Sequence, residues 1–337
     1  MPLNVVGVGA DGRVYHAVRN RYLRDPWTAW TDVTAVVGDP GSAFVVIDCA
    51  TVDRSVHICG LTADDRILHT FREPGGMWQS GWGDVGSAAG LGSGRPDAVA
   101  TAGAGTNLHV FAPVQRRGGS GGVVPAAGSP INHAIRSSEP PDWPQHFTEV
   151  ASGFSAFVLN QFFALAADDV SGRLHLCATG FNNELWHTLQ LSGGPENWQP
   201  FSDVRLVHPN SPGRIGDVAV AGIGNLLHVC VAAEGGVWHT IRATSVWQAQ
   251  WGNVMQAVSS GVTGTVTRVA CANLEDNLHL CALLDDGRII HTIRMSNPPS
   301  WQNPEDSGQA AFGDVTAVVG SRGVDPRPFQ LLAASGE

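Results

Sequence analysis

At 337 residues, 43% of them hydrophobic and 15% charged, the chain buries a core readily and is not a disordered polymer. A net charge of −10, with no lysine, excludes nucleic acid and anionic membrane surfaces as main partners. No apolar run reaches membrane-spanning length and no charged-then-hydrophobic leader opens the chain, so membrane insertion is not expected. Synthesis in the cytoplasm without a signal peptide is expected, with release by a non-standard route as the way to an extracellular role.

In chain order, the predicted elements are short strands that recur as one unit of about fifty residues. Leu3-Asn4-Val5 opens the chain as the second strand of a unit, Asp11-Gly12 supplies a hairpin turn, and a third strand carries His16. Trp27 and Asp32-Val33 close it. The same succession follows five more times. An aliphatic-His-aliphatic triplet is centred on His57, His109, His175, His228 and His279; a third-strand histidine is His69, His133, His187, His239 or His291. A tryptophan comes next: Trp78, Trp143, Trp198, Trp247 or Trp301. The closing pairs are Asp84-Val85, Glu149-Val150, Asp203-Val204, Asn253-Val254 and Asp314-Val315. Third-strand histidines are separated by 53, 64, 54, 52 and 52 residues, a periodicity that outweighs any single residue as a signal.

Alternating apolar and polar positions with frequent turn punctuation make the chain all-β. In the sixth unit the strands are expected at Thr265 to Ala272, Asn277 to Leu283, Arg288 to Met295 and a stretch ending at Asp314-Val315. Four strands repeated six times predict a six-bladed β-propeller of four-stranded antiparallel blades, one domain over 1–337. Because the chain opens on a second strand, a C-terminal strand is expected to complete the N-terminal blade, with Pro328 to Ala334 the candidate. Two irregularities read as insertions, near 113–130 in blade three and 302–310 in blade six.

Cys59, Cys177, Cys230 and Cys281 share an apolar slot with Val6 and Phe111, which reads as buried thiols; cross-strand disulfides Cys49 to Cys59 and Cys271 to Cys281 are the alternative. The repeated histidines lack CxxC or HxxxH clustering and read as packed, hydrogen-bonded groups, not metal ligands. No cofactor motif, metal centre or catalytic residue is assigned.

A two-residue turn at Asp286-Gly287 would set His279 opposite Arg294, Cys281 opposite Thr292 and Leu283 opposite Ile290, all on one face. The Arg294 position is Arg19, Arg72, Arg136 and Arg242 elsewhere, and Gln190 in blade four; the Ile290 position includes Trp186 and Trp238. An arginine in a cleft needs a carboxylate or a ligand, and the tryptophan that follows would lie at the same rim. Arginine plus indole is what a sugar site requires, a flat apolar surface for the C–H face and forked donors for hydroxyls. The candidate sugar-binding residues are therefore Arg19, Trp27, Arg72, Trp78, Arg136, Trp143, Trp186, Trp198, Trp238, Arg242, Trp247, Arg294 and Trp301. Blades two and five are the most complete copies. Inter-blade packing is the competing role for the tryptophans; the second aromatic of each unit (Trp30, Trp82, Phe147, Phe201, Trp251, Phe312) reads as core.

Asn225-Leu226-Leu227-His228-Val229, Gly236-Val237-Trp238-His239-Thr240-Ile241-Arg242 and Trp251-Gly252-Asn253-Val254 resemble the repeat of Photorhabdus-type bacterial β-propeller lectins, as does Phe312-Gly313-Asp314-Val315. Those relatives are seven-bladed, whereas the count here is six, as in the fungal fucose-binding propeller lectins. The resemblance implies a multivalent lectin binding glycans, fucosylated or O-methylated, in clefts between blades; a homo-oligomer is compatible with it. Two other functions remain open: an enzyme with one unique pocket near the blade-three insertion, using His133, His146 or Arg136, and a protein-interaction scaffold.

Overall fold

The computed structural model describes residues 2–20, 27–92, 94–115, 130–138, 142–150, 162, 164–180, 184–208, 210–258, 262–306 and, for the backbone, 312–320. Six antiparallel sheets follow one another along the chain. Blade two shows the pattern: inner strand Phe44–Val52, then Ser55–Thr62, Ile67–Arg72 and a short outer strand Gly83–Asp84. Each inner strand touches the inner strands of the two neighbouring blades, and the contacts run through all six sheets back to the start. The predicted six-bladed propeller is the fold.

The N-terminal blade is completed from the C-terminal side, as expected, but by a different segment. Phe312–Gly320 pairs with Leu3–Gly9 as the inner strand of blade one, with Leu3 opposite Gly320 and Val8 opposite Asp314. The stretch ending at Asp314-Val315 is therefore not the outer strand of blade six, and Pro328 to Ala334 lie outside the described residues. Glu305–Asp306 holds the outer position instead, with Asp306 opposite Ile290 as Asp32 is opposite Tyr15. The misreading has a cause. In five blades an aromatic stands two residues before the closing residue, whereas blade six has Pro304 there, and Phe312-Gly313-Asp314 offers a decoy. The tryptophan-to-acid interval carried the right answer: Trp301 to Asp306 spans five residues, as do Trp27 to Asp32 and Trp198 to Asp203. Of the other irregular stretch, residues 113–115 belong to strand Asn107–Gln115, and 116–129 lie outside the described residues.

The closing residue earns its recurrence as a helix cap. Asp32, Asp84 and Asn253 each accept a hydrogen bond from a backbone N–H three residues on, those of Ala35, Ser87 and Gln256, and Asp203 accepts from the Arg205 N–H in a 3-10 turn. The valine that follows is buried in each: Val33, Val85, Val254 and Val204. The outer edge of the blade is thus blunted by a turn of helix instead of a long exposed strand.

The core is six apolar slabs, one per seam between blades. The slab between blades five and six joins Cys230, Ala232 and Val237 to Cys271, Leu278, Leu280 and Ile290, and the one between blades six and one joins Cys281, Leu283 and Ile289 to Leu3 and Val5. Among the described residues the second aromatics Trp30, Trp82, Phe147, Phe201 and Trp251 pack into these slabs, as expected of core positions. All six cysteines are free and buried. Cys49 lies opposite Ile58 while Cys59 lies opposite Asp48, so the two thiols leave opposite faces of the sheet, and the same offset separates Cys271 from Cys281. The alternative disulfides are thereby excluded.

Removing the Asp84 cap tests this edge. Asp84→Ala is expected to lower the unfolding free energy by about 1 kcal/mol, read from the denaturant midpoint. An unchanged midpoint would show that the capping bond contributes nothing.

Candidate functional site

The hairpins set every face of the site, and their register differs from the expected one by one residue. The Leu284 N–H donates to the Arg288 carbonyl, making Asp285-Asp286-Gly287 a three-residue loop with Gly287 at φ +83°. Leu278 then lies opposite Arg294, His279 opposite Ile293, and Cys281 opposite His291. The two histidines of a blade therefore share one face, and the arginine projects from the other. The expected placement of His279 and Arg294 on one face is corrected: the arginine at the Arg294 position meets histidine across a seam, from the next blade.

Within a blade the histidines form a hydrogen-bonded dyad. Nδ1 of the second-strand histidine lies 3.0 Å from Nε2 of the third-strand one in His57–His69, His228–His239 and His279–His291, and 2.9 Å in His109–His133 and His175–His187. In blade one the first member is Asn4, whose Oδ1 accepts from His16 Nε2 at 3.0 Å, so the divergent copy keeps the bond. Because an amide oxygen accepts only, His16 carries its proton on Nε2. In blade six Glu305 Oε1 stands 2.9 Å from His291 Nδ1, which places the proton there and makes His291 Nε2 the acceptor from His279.

Burial keeps these rings neutral. Desolvation, followed by the charge of Arg72, pulls His16 down to about 3. His57 falls to about 3, through desolvation and then Arg136; His175 and His228 fall to about 4, through desolvation and then Arg242 and Arg294 respectively. Each of these charges belongs to the following blade.

The third-strand histidine meets the tryptophan of the following blade edge-on. The pairs are His16–Trp78, His69–Trp143, His133–Trp198, His187–Trp247, His239–Trp301 and His291–Trp27, with centroids 5.4 to 6.4 Å apart and interplanar angles of 82° to 88°. A packing role for tryptophan thus operates at every seam. The indoles remain partly exposed, apart from Trp198 at 8%.

Arginine and tryptophan come together as expected. Arg19 lies opposite Trp27, Arg72 opposite Trp78, Gln190 opposite Trp198, Arg242 opposite Trp247 and Arg294 opposite Trp301. In blade three the ladder shifts register beside Arg136, whose guanidinium lies 5.5 Å above the ring of Phe71 of blade two. Trp186 and Trp238 are not part of these pairs. They lie four residues before Gln190 and Arg242 on the same strands, about 13 Å away, packed into the slabs on either side of blade four.

The seams differ in how the guanidinium is satisfied. Arg19 Nε donates to Glu305 Oε1 at 2.5 Å across the seam between blades six and one. Arg242 donates to the Thr244 carbonyl of its own strand end. Arg72, Arg136 and Arg294 have no carboxylate partner among the described residues, and burial pulls the pKa of each down. The outer-strand acid that separates the seams, Glu305, is hidden in the sequence because Pro304 breaks the closing pattern and Phe312-Gly313-Asp314 imitates it.

The ring axis holds a second concavity of about 440 Å³, lined by inner strands including Asp48, Asp168, Cys271 and Asn273. Inner-strand acids serve closure. Asp48, Asp168 and Asp217 accept from the Thr101, Gly222 and Val269 amides of the next inner strand, at 2.5, 2.7 and 2.8 Å. Burial pushes Asp48 up to about 7 and Asp217 up to about 6. His133 and Arg136 leave opposite faces of blade three, so they do not share a pocket, and His146 is exposed. Among the described residues no three His, Cys, Asp or Glu side chains are placed to hold a metal ion, and no helix is long and apolar enough to cross a membrane.

Acid should unfold this protein through its histidines. A histidine whose folded pKa is lowered contributes stability that is present above its unfolded value of about 6.5 and is lost as pH falls toward 3 to 4, by up to about 1.4 kcal/mol per pH unit per group. Asp48 and Asp217 act oppositely, contributing below about 4 and losing that contribution as pH rises through about 6 to 7, but they are outnumbered. The denaturant midpoint is expected to fall steadily from pH 7 to pH 5; a flat profile would refute neutral buried dyads.

No family model and no curated protein sequence matches the chain. Among solved structures it is similar to the BP39L lectin of Burkholderia pseudomallei at 14% identity, covering 89% of this chain and 79% of that one with a TM-score of 0.57. It is likewise similar to the fucose-specific lectin of Aleuria aurantia at 13% identity, covering 93% and 90% with a TM-score of 0.56. A sialidase of Trypanosoma rangeli aligns at 12% identity over 82% of this chain and 51% of that one, TM-score 0.52. Lectins and an enzyme share the architecture, so function has to be argued from the seams. At these identities the likeness is one of fold: the chain has the six-bladed β-propeller fold.

Proposed function

We propose that the protein is a multivalent carbohydrate-binding protein that takes sugars at the seams between blades. One observation carries this reading: guanidiniums such as Arg72 and Arg294 are partly buried, have no carboxylate partner among the described residues, and lie beside a partly exposed indole, Trp78 or Trp301. Leaving such a group unsatisfied is costly, and an adjoining flat apolar surface suits the C–H face of a pyranose. The lectins among the structural neighbours support the same reading. Fucose and O-methylated sugars, which are neutral, suit best a seam where donor and acceptor stand together, as Arg19 and Glu305 do. Repetition of weak sites on one rigid ring raises avidity for clustered glycans without new contacts.

A glycan array with the purified chain tests this. Binding to densely displayed sugars should exceed that to the free monosaccharide by tenfold or more. Arg242→Ala with Trp247→Ala should lower the number of sugars bound per chain by one in calorimetry, with the remaining sites unchanged. Absence of binding to any glycan would overturn the proposal.

A further inference from the structure

The seam between blades six and one carries its own carboxylate at a position that is Thr31, Gly83, Thr148, Ser202 or Gly252 in the other blades. Glu305 sits opposite His291 on the outer strand, accepts a hydrogen bond from that ring's Nδ1–H and reaches across to Arg19 of the next blade. The same register position opposite the third-strand histidine is Gly83 in blade two and Gly252 in blade five. Both seams retain every other part. The dyads His57–His69 and His228–His239 are present, Trp143 and Trp301 stand edge-on to His69 and His239, and the charge of Arg136 or Arg294 of the next blade reaches the dyad. What is missing among the described residues is the anion.

We propose that the seam between blades two and three and the seam between blades five and six bind the anionic group of an acidic sugar, a carboxylate or a sulfate ester. Arg136 and Arg294 are its charge partners, and Gly83 and Gly252 leave open the place that Glu305 fills elsewhere. This rests on the seams being sugar sites. A hydrogen bond from a guanidinium to an anion is about twice as strong as one to a neutral hydroxyl, and the planar fork matches both carboxylate and sulfate oxygens. A third-strand histidine with its proton on Nδ1, as His291 shows, supplies a second donor to the same anion. The net charge of −10 disfavours dense polyanions at long range, so the ligand is a sugar carrying isolated anionic groups.

The test is calorimetry on the intact chain with paired probes: methyl galacturonoside against its methyl ester, and a monosulfated galactose disaccharide against its desulfated form, with methyl fucoside as the neutral reference. At least one acid should bind tenfold or more tightly than its neutralised partner, and the two pairs distinguish carboxylate from sulfate. Gly83→Glu with Gly252→Glu should abolish that preference by filling the seams from within. A Cβ at either glycine meets only a histidine carbonyl, at 3.7 Å, an ordinary contact. Arg136→Gln with Arg294→Gln should do the same by removing the charge, and Gln190 at the equivalent place in blade four shows that the fold accepts glutamine. Thermal midpoints of both variants check that the ring is intact; if the glutamates unfold it, the glutamines decide.

Equal binding of each acid and its neutralised partner would overturn the inference and leave the seams as neutral-sugar sites. Acid preference that survives both double variants would overturn it by placing the site elsewhere. Failure to bind any probe, with no hits on a glycan array, would remove the carbohydrate reading itself.

Discussion

The neutral imidazole dyad is the interaction on which the rest of this structure depends. Two rings on adjacent strands satisfy each other inside an apolar slab, where an unpaired polar group would cost several kcal/mol. Their common face then becomes a flat surface against which the next blade lays its tryptophan. Because the bond joins the second strand to the third, it also pins the hairpin register, and a slip of one residue would turn every histidine out of its slab. Blade one makes the point with different atoms: Asn4 replaces a histidine and the geometry survives, since an amide oxygen serves the same donor.

Seam chemistry follows from that arrangement. A blade contributes histidine from one face and arginine with tryptophan from the other, so no blade contains a whole site and each seam is built from two successive units. The arginine cannot be matched by the dyad, which is neutral and already paired. Where the outer strand offers Glu305, the guanidinium is neutralised internally; where it offers Gly83 or Gly252, the arginine of the next blade has no carboxylate partner among the described residues. Repeat divergence at one outer-strand position thus changes the charge balance of a seam while the dyad and the edge-on tryptophan are kept.

Closure around the axis uses a separate set of contacts. Carboxylates from inner strands accept amides of the neighbouring inner strand, which ties successive blades together at their narrowest point and engages the acids that line the channel. The channel and the seams are therefore different in kind: Asp48 and Asp168 of the channel are held by backbone amides, whereas Arg72, Arg136 and Arg294 at the seams have no carboxylate partner among the described residues.

The sequence by itself determined the repeat, the all-β class, the blade count, the buried thiols and the apolar role of the second aromatics, because each rests on spacing and alternation that local geometry enforces. It also brought Arg294 and Trp301, and their counterparts, to one rim. It misplaced the face of the histidines, since a three-residue loop and a two-residue loop differ by one position that residue types such as Asp286-Gly287 do not distinguish. Glu305 stayed hidden because Pro304 broke the aromatic pattern and Phe312 imitated it. Only the tertiary structure decided which face meets which neighbour and which guanidinium finds a carboxylate. Those facts depend on contacts between residues a full repeat or a full ring apart, and Arg19 with Glu305, 286 positions distant, is the plainest case.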